Sequence, residues 1–156
     1  WLKGLSPKQN RDIPPLNYGR VERLKARRGD LEIVLNGGIG SVEEAVAHLQ
    51  VFDGVMLGRA AYQTPWLLGQ VDEQVYGSPA PVSSPRDALA AFLPYVQETL
   101  ADGARLNQIA RHMLGLFQGR PGARAWRRHL SETMHMEGAS AQTLLDAADA
   151  MEPLAA

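Results

Sequence analysis

The chain has 156 residues, a formal net charge of −1, 45% hydrophobic and 21% charged residues, and no cysteine. That composition is globular rather than disordered, and the near-zero charge confines any nucleic-acid surface to a local patch. Without cysteine there is no disulfide framework, thiolate zinc site or cysteine nucleophile among these residues.

No apolar run approaches the roughly 18–20 residues of a membrane helix, and the N-terminus has no signal-peptide core. A reducing, cytoplasmic location without membrane or metal partners is the expectation. The chain opens on Trp1 with no helix cap and no preceding strand, so it reads as part of a longer protein.

Residues 1–16 carry Pro7, Pro14 and Pro15 and read as a long loop. Residues 18–28 suit an amphipathic helix with Val21, Leu24 and Ala26 inward. "LEIVL" (31–35) is nearly continuous in apolar residues, the pattern of a strand buried on both faces. "SVEEAVAHL" follows, with Ser41 as N-cap and Glu44 at the capping-box spacing. "DGVMLG" (53–58) predicts a second buried strand, and "YQTPWLLGQVDEQVY" another helix. Strand, helix, strand, helix is the rhythm of a parallel sheet.

"GSPAPVSSPR" (77–86), with three prolines and three serines, reads as a linker. Leu89, Phe92, Leu93, Val96 and Leu100 then form a helical stripe, and Leu106, Ile109, Met113, Leu116 and Phe117 a second. Further helices start near Pro121 and Ser140, so four short antiparallel helices are expected after the linker.

The ends of the two strands hold the first candidate site. In parallel β/α folds the chemistry lies at the carboxyl ends of the strands. Asn36, Gly37 and Gly38 stand there after the first strand, and Gly58 after the second. The glycines allow positive φ and bring bare N–H groups near a ligand, and Arg59 adds a guanidinium fork suited to phosphate. Two such loops feeding helix N-termini make an anion site, as the last two loops of a (β/α)₈ barrel often do. Either loop alone is an ordinary turn; the pair, with Arg59, favours phosphate.

The segments "GLSPKQNRDIPPL", "LNGGI", "DGVMLGRAAYQTPWLL" and "GLFQGRPGARAWRRHLSE", in this order, resemble the C-terminal half of the A subfamily of tRNA-dihydrouridine synthases. The resemblance implies the C-terminal part of a (β/α)₈ barrel over 1–76, a linker over 77–86 and a helical tRNA-binding domain over 87–156. It implies an FMN-dependent enzyme that uses NADPH to reduce uridine at positions 20 and 20a of the tRNA D-loop. Asn36, Gly37 and Gly38 match the family's first FMN-phosphate loop, and Gly58 and Arg59 its second. The cysteine that protonates the base, with a lysine and a histidine near the flavin, belongs to the barrel's first half. None has a counterpart here, so no catalytic residue is assigned and the chain alone is expected to be inactive. The intact protein is expected to be a monomer.

Between Gly103 and Ser131 there is no acidic residue, while Arg105, Arg111, Arg120, Arg124, Arg127 and Arg128 are present. On a helix from Pro121, Arg124, Arg127, Arg128 and Ser131 share a face, and Trp126 and Leu130 turn inward. A solvated face is the plain reading of such a run. The missing carboxylates and the low overall charge favour an RNA phosphate backbone. The resemblance implies that Arg124 and Arg127 grip tRNA. It also matches Lys8 and Arg11, beside Lys3 in the proline-stiffened loop, to a tRNA-contact signature holding the D-arm while a uridine is flipped out.

The four histidines lack metal-ligand spacing. His48 is expected at a helix surface, and His112 or His129 could join the basic face. Tyr62 and Trp66 are expected to pack the final barrel helix against its strands. Met134 and Met136 read as packing residues. Two readings remain beside the enzyme: a non-catalytic RNA-binding module with a vestigial half barrel, and a different phosphate-binding barrel.

Overall fold

The computed structural model describes residues 15–151 together with Gly4, Ser6 and Gln9. Lys3, Lys8 and Arg11, the expected loop contacts to tRNA, lie outside the described residues. The chain divides into two compact units after Gly58. The 77–86 segment therefore falls inside the second unit, and the residues that follow Gly58 associate with the helices.

The first unit is one βαβ element preceded by a helix. Helix α1 spans Tyr18–Arg27, and the Asn17 side chain accepts from the Arg20 N–H at 3.0 Å. Strand β1 (Val34–Asn36) pairs in parallel with β2 (Gly54–Met56), in the register Val34↔Gly54, Leu35↔Val55, Asn36↔Met56. Helix α2 (Val42–Leu49) connects them. Ser41 caps it by accepting from the Glu44 N–H at 3.1 Å, as the sequence predicts.

Burial is one-sided. Leu35, Ile39, Ala45 and Phe52 form the core, with Tyr18, Val21, Ile33, Val55 and Leu57 packed against them. Val34 and Met56, on the opposite face, are 57% and 52% exposed. The expectation of strands buried on both faces is thus corrected: each has three residues and a single covered face. A two-stranded sheet alternates sides along each strand, and no described element lies over the second side. The same holds for α1, where Val21 packs inward but Leu24 and Ala26 are exposed. His48 is likewise not a surface residue. Its ring meets Tyr18 edge-on at 4.7 Å, and it is half-buried.

Asp53 ties this unit together. Its Oδ2 accepts from Lys25 Nζ at 2.6 Å and from the Ile33 N–H at 2.7 Å, linking α1, the approach to β1 and the start of β2. These hydrogen bonds, Lys25 first, hold the Asp53 carboxyl below its ordinary range.

The second unit begins with α3 (Arg59–Gln63), a 3₁₀ turn over Pro65–Gln70 and α4 (Val71–Tyr76). A continuous helix over 62–76 was expected, but it breaks at Pro65, whose ring cannot continue the hydrogen-bond ladder. Helix α5 (Pro85–Ala101) starts two residues inside the expected linker. Ser84 caps it, accepting from the Asp87 N–H, and Pro85 occupies the first turn where its missing N–H costs nothing. Helices α6 (Leu106–Ala110), α7 (Ala123–Thr133) and α8 (Ala141–Asp149) complete the unit.

The second apolar stripe is helical only to Ala110, after which tight i→i+3 turns run to Arg120. Gly115 explains the change. A Cβ there would lie 2.0 Å from the Gln63 carbonyl oxygen, so the backbone at 115 passes directly against the end of α3. A regular helix bearing side chains could not make that approach.

Trp126 is the centre of the helical core and is fully buried. Its indole N–H donates to the Met113 carbonyl at 3.2 Å, and its ring meets Phe117 edge-on at 4.8 Å. Leu89, Val96, Leu106, Leu130 and Leu144 close around it from α5, α6, α7 and α8. Arg86 ties the first of these helices to the last, donating to the Ala148 carbonyl at 2.8 Å and pairing with Asp149.

Two outcomes follow. Trp126→Ala should cost about 3–5 kcal/mol, read by urea denaturation, because it removes an aromatic side chain and leaves a cavity. Asp53→Asn should destabilise the protein near neutral pH. The folded-state pKa of Asp53 is depressed, so its contribution is complete above the unfolded value of roughly 3.9 and disappears as pH falls through the lower folded value. The stability gap between Asp53→Asn and wild type should close in that acid range; a gap unchanged there would contradict the role of the ion pair.

Candidate functional site

The parallel register places Asn36 opposite Met56, so the loops that leave the two strands start side by side. Gly37 and Gly38 occupy the first loop with φ of 133° and 73°, backbone that a side chain disfavours. They are also crowded. A Cβ on Gly37 would lie 2.9 Å from a Leu16 methyl and one on Gly38 2.5 Å from the other. The Tyr18 hydroxyl donates to the Gly37 carbonyl at 2.6 Å and pins the loop to α1. The Gly38 N–H meets no acceptor among the described residues.

Gly58 differs from the expectation. Its φ is not positive, and nothing lies within 4 Å of the position a Cβ would take. Among the described residues nothing therefore requires glycine at 58. Open space beside a bare backbone is what close approach of a ligand demands. Arg59, bonded directly to Gly58, is exposed and opens α3 in the second unit.

The helix-terminus part of the expected anion site needs correction. Glu44 does not reach the Ser41 N–H; its carboxylate accepts from the Gly40 N–H at 2.8 Å. Glu43 and Glu44 both stand in the first turn of α2. The positive end of that helix is thus already met by carboxylate, and the loop amides rather than the helix dipole are left for a phosphate. The five-residue α3 adds little dipole of its own. Sequence spacing revealed Ser41 and Glu44 but not this redirection by one residue. Leu16 and Tyr18 carried no sequence signal at all.

The residues fit a phosphate in one respect and are neutral in another. The Gly38 N–H without an acceptor among the described residues and the open backbone at Gly58 suit a phosphate oxygen. Nothing in them selects a flavin over another phosphate ester.

The arginine face lies on α7. Arg124 and Arg128 are exposed and Arg127 is half-buried, while Trp126 and Leu130 on the opposite side are buried as the pattern predicts. Arg127 donates to the Gln118 side-chain oxygen. Arg120 lies over the Trp66 ring at 5.7 Å. Tyr62 is 58% exposed and its hydroxyl is 2.9 Å from His112 Nδ1. Among the described residues no cluster of His, Asp or Glu could hold a metal ion, and no helix is long and apolar enough to cross a membrane.

Comparison with known proteins bears on this arrangement. The dihydrouridine synthase (Dus) family model matches residues 2–152. A tRNA-dihydrouridine(20/20a) synthase of Vibrio parahaemolyticus is 54% identical over 147 residues, covering 94% of this chain and 45% of the relative. One from Shewanella oneidensis is 56% identical over 144 residues, covering 92% and 43%. One from Escherichia coli (strain K12) is 54% identical over 144 residues, covering 92% and 42%. The chain thus spans somewhat under half the length of these curated relatives. With a family match over nearly all its residues, the chain belongs to the dihydrouridine synthase family.

Proposed function

We propose that this chain serves an FMN-dependent tRNA-dihydrouridine(20/20a) synthase, contributing the FMN-phosphate site and part of the tRNA-binding surface. The family match over residues 2–152 carries the reading, together with relatives named for that activity at 54–56% identity. The net reaction adds two hydrogens across the 5,6 double bond of uracil, a hydride and a proton, with NADPH oxidised to NADP⁺. FMN, when bound, would supply the redox chemistry that carries hydride from NADPH to the base. This chain, which has no cysteine, offers no thiol for the proton.

Within the chain the tasks are binding and orientation. The Gly38 N–H and the open backbone at Gly58 receive phosphate oxygens, and Arg59 adds a charge-assisted bond. Asn36 ends β1 and, through its pairing with Met56, fixes the spacing of the two loops. Residues 1–76 are read as the C-terminal part of a (β/α)₈ barrel, and residues 87–156 as a tRNA-binding helical domain. Arg124, Arg127 and Arg128 hold RNA phosphates and orient the D-arm, and Lys8 and Arg11 extend that contact. The protein acts in the cytoplasm as a monomer.

A second reading, an RNA-binding module without catalysis, draws on one observation: the helical unit has its own complete core around Trp126. It is separated from the first reading by measuring tRNA affinity with and without FMN.

Two measurements test the enzyme reading. Arg59→Ala should weaken FMN binding by about tenfold or more, the worth of one charge-assisted hydrogen bond, and leave riboflavin binding unchanged. Equal FMN retention in variant and wild type would remove Arg59 from the site. Replacing Arg124 and Arg127 together with alanine should lower affinity for unmodified tRNA and reduce the slope of log K against log salt by about two. An unchanged slope would mean that the RNA surface lies elsewhere.

A further inference from the structure

A groove of about 600 Å³ in the second unit is lined by Tyr62, Arg111, His112, Gly115, Gln118 and Arg127, among others. We propose that it seats one backbone phosphate of RNA, held by the Tyr62 hydroxyl and the Arg111 and Arg127 guanidinium groups. The proposal rests on the tRNA reading and adds to it a groove that Arg127 shares with the arginine face of α7.

The groove exists because of Gly115. The backbone there runs against the Gln63 carbonyl, with room for no side chain, and this brings Tyr62 on α3 beside His112 just after α6. The Tyr62 and His112 rings then meet edge-on at 5.8 Å.

The hydrogen bonds at His112 fix the direction of every proton. Arg111 Nε lies 3.1 Å from His112 Nε2 and can only donate. His112 Nε2 therefore offers its lone pair, which places the ring proton on Nδ1. Nδ1–H donates to the Tyr62 oxygen 2.9 Å away. The Tyr62 hydroxyl proton is consequently not used by His112 and is left for a ligand acceptor.

The remaining groups point to the same kind of ligand. Arg111 spends only its Nε–H on His112, which leaves its terminal amines without a partner among the described residues. Arg127 donates to the Gln118 oxygen, so the Gln118 amide presents only N–H groups. Among the described residues no carboxylate lines the groove. A site offering a phenol proton, two guanidinium groups and an amide N–H suits a ligand that only accepts hydrogen bonds and carries negative charge. A phosphodiester satisfies both conditions. An acidic peptide also would, and is the occupant the test below can expose.

The test measures binding of an unmodified tRNA transcript to the intact protein across a salt series, with a melting curve for each variant. Arg111→Gln should lower affinity and reduce the log K–log salt slope by about one, as loss of a single phosphate contact does. Tyr62→Phe, which removes one neutral donor, should lower affinity about fivefold with the slope and melting temperature unchanged. If the Arg124 and Arg127 double variant loses tRNA affinity while neither Arg111→Gln nor Tyr62→Phe does, the groove is not an RNA site and the proposal fails alone. Displacement of an acidic peptide probe from wild type but not from Tyr62→Phe, with tRNA binding equal in both, would overturn it in favour of a protein partner. If no variant of either set alters tRNA binding, the tRNA reading itself falls.

Discussion

The parallel pairing of β1 with β2 is the constraint on which the candidate phosphate site depends. Leu35 and Val55 share the covered face, and slipping either strand by one residue would carry its member of this pair to the exposed side. The core thus dictates that Asn36 lies opposite Met56, and that in turn sets Gly37–Gly38 and Leu57–Gly58 as neighbouring loops. The Lys25–Asp53 pair and the Tyr18–Gly37 hydrogen bond fasten the same arrangement at its two ends. Binding geometry here is a consequence of packing, not of the loops themselves.

Features encoded within a few residues were legible in the sequence. Ser41 caps α2, Ser140 precedes α8, and Trp126 and Leu130 turn inward on α7, because caps and helical periodicity are local. Features set by distant partners were not. The apolar "LEIVL" run reads as fully buried, yet Val34 is exposed, since periodicity does not disclose how many faces will be covered. The shortening of α6 depends on Gln63, some fifty positions from Gly115 in sequence, and no pattern near 115 announces it.

The site was legible to a similar extent. Glycines at the strand ends were recognisable, but their physical reasons proved to be different. Gly37 and Gly38 are required by backbone conformation and by Leu16, whereas among the described residues nothing requires glycine at 58. The second case is the more informative about a ligand. On the helical side, the absence of carboxylates from 103 to 131 was plain in the sequence. The convergence of Tyr62, Arg111 and His112 was not, because α3 and the turn after α6 meet only in three dimensions.

We propose that the amides of the two glycine loops receive the phosphate of FMN. Amide chemical shifts of the ¹⁵N-labelled intact protein, titrated with FMN and separately with riboflavin, test it most directly, since the two ligands differ only in the phosphate. The account predicts that the Gly38 and Gly58 amides move with FMN and remain still with riboflavin. Equal shifts with both ligands, or FMN-specific shifts confined to residues outside the two loops, would contradict it.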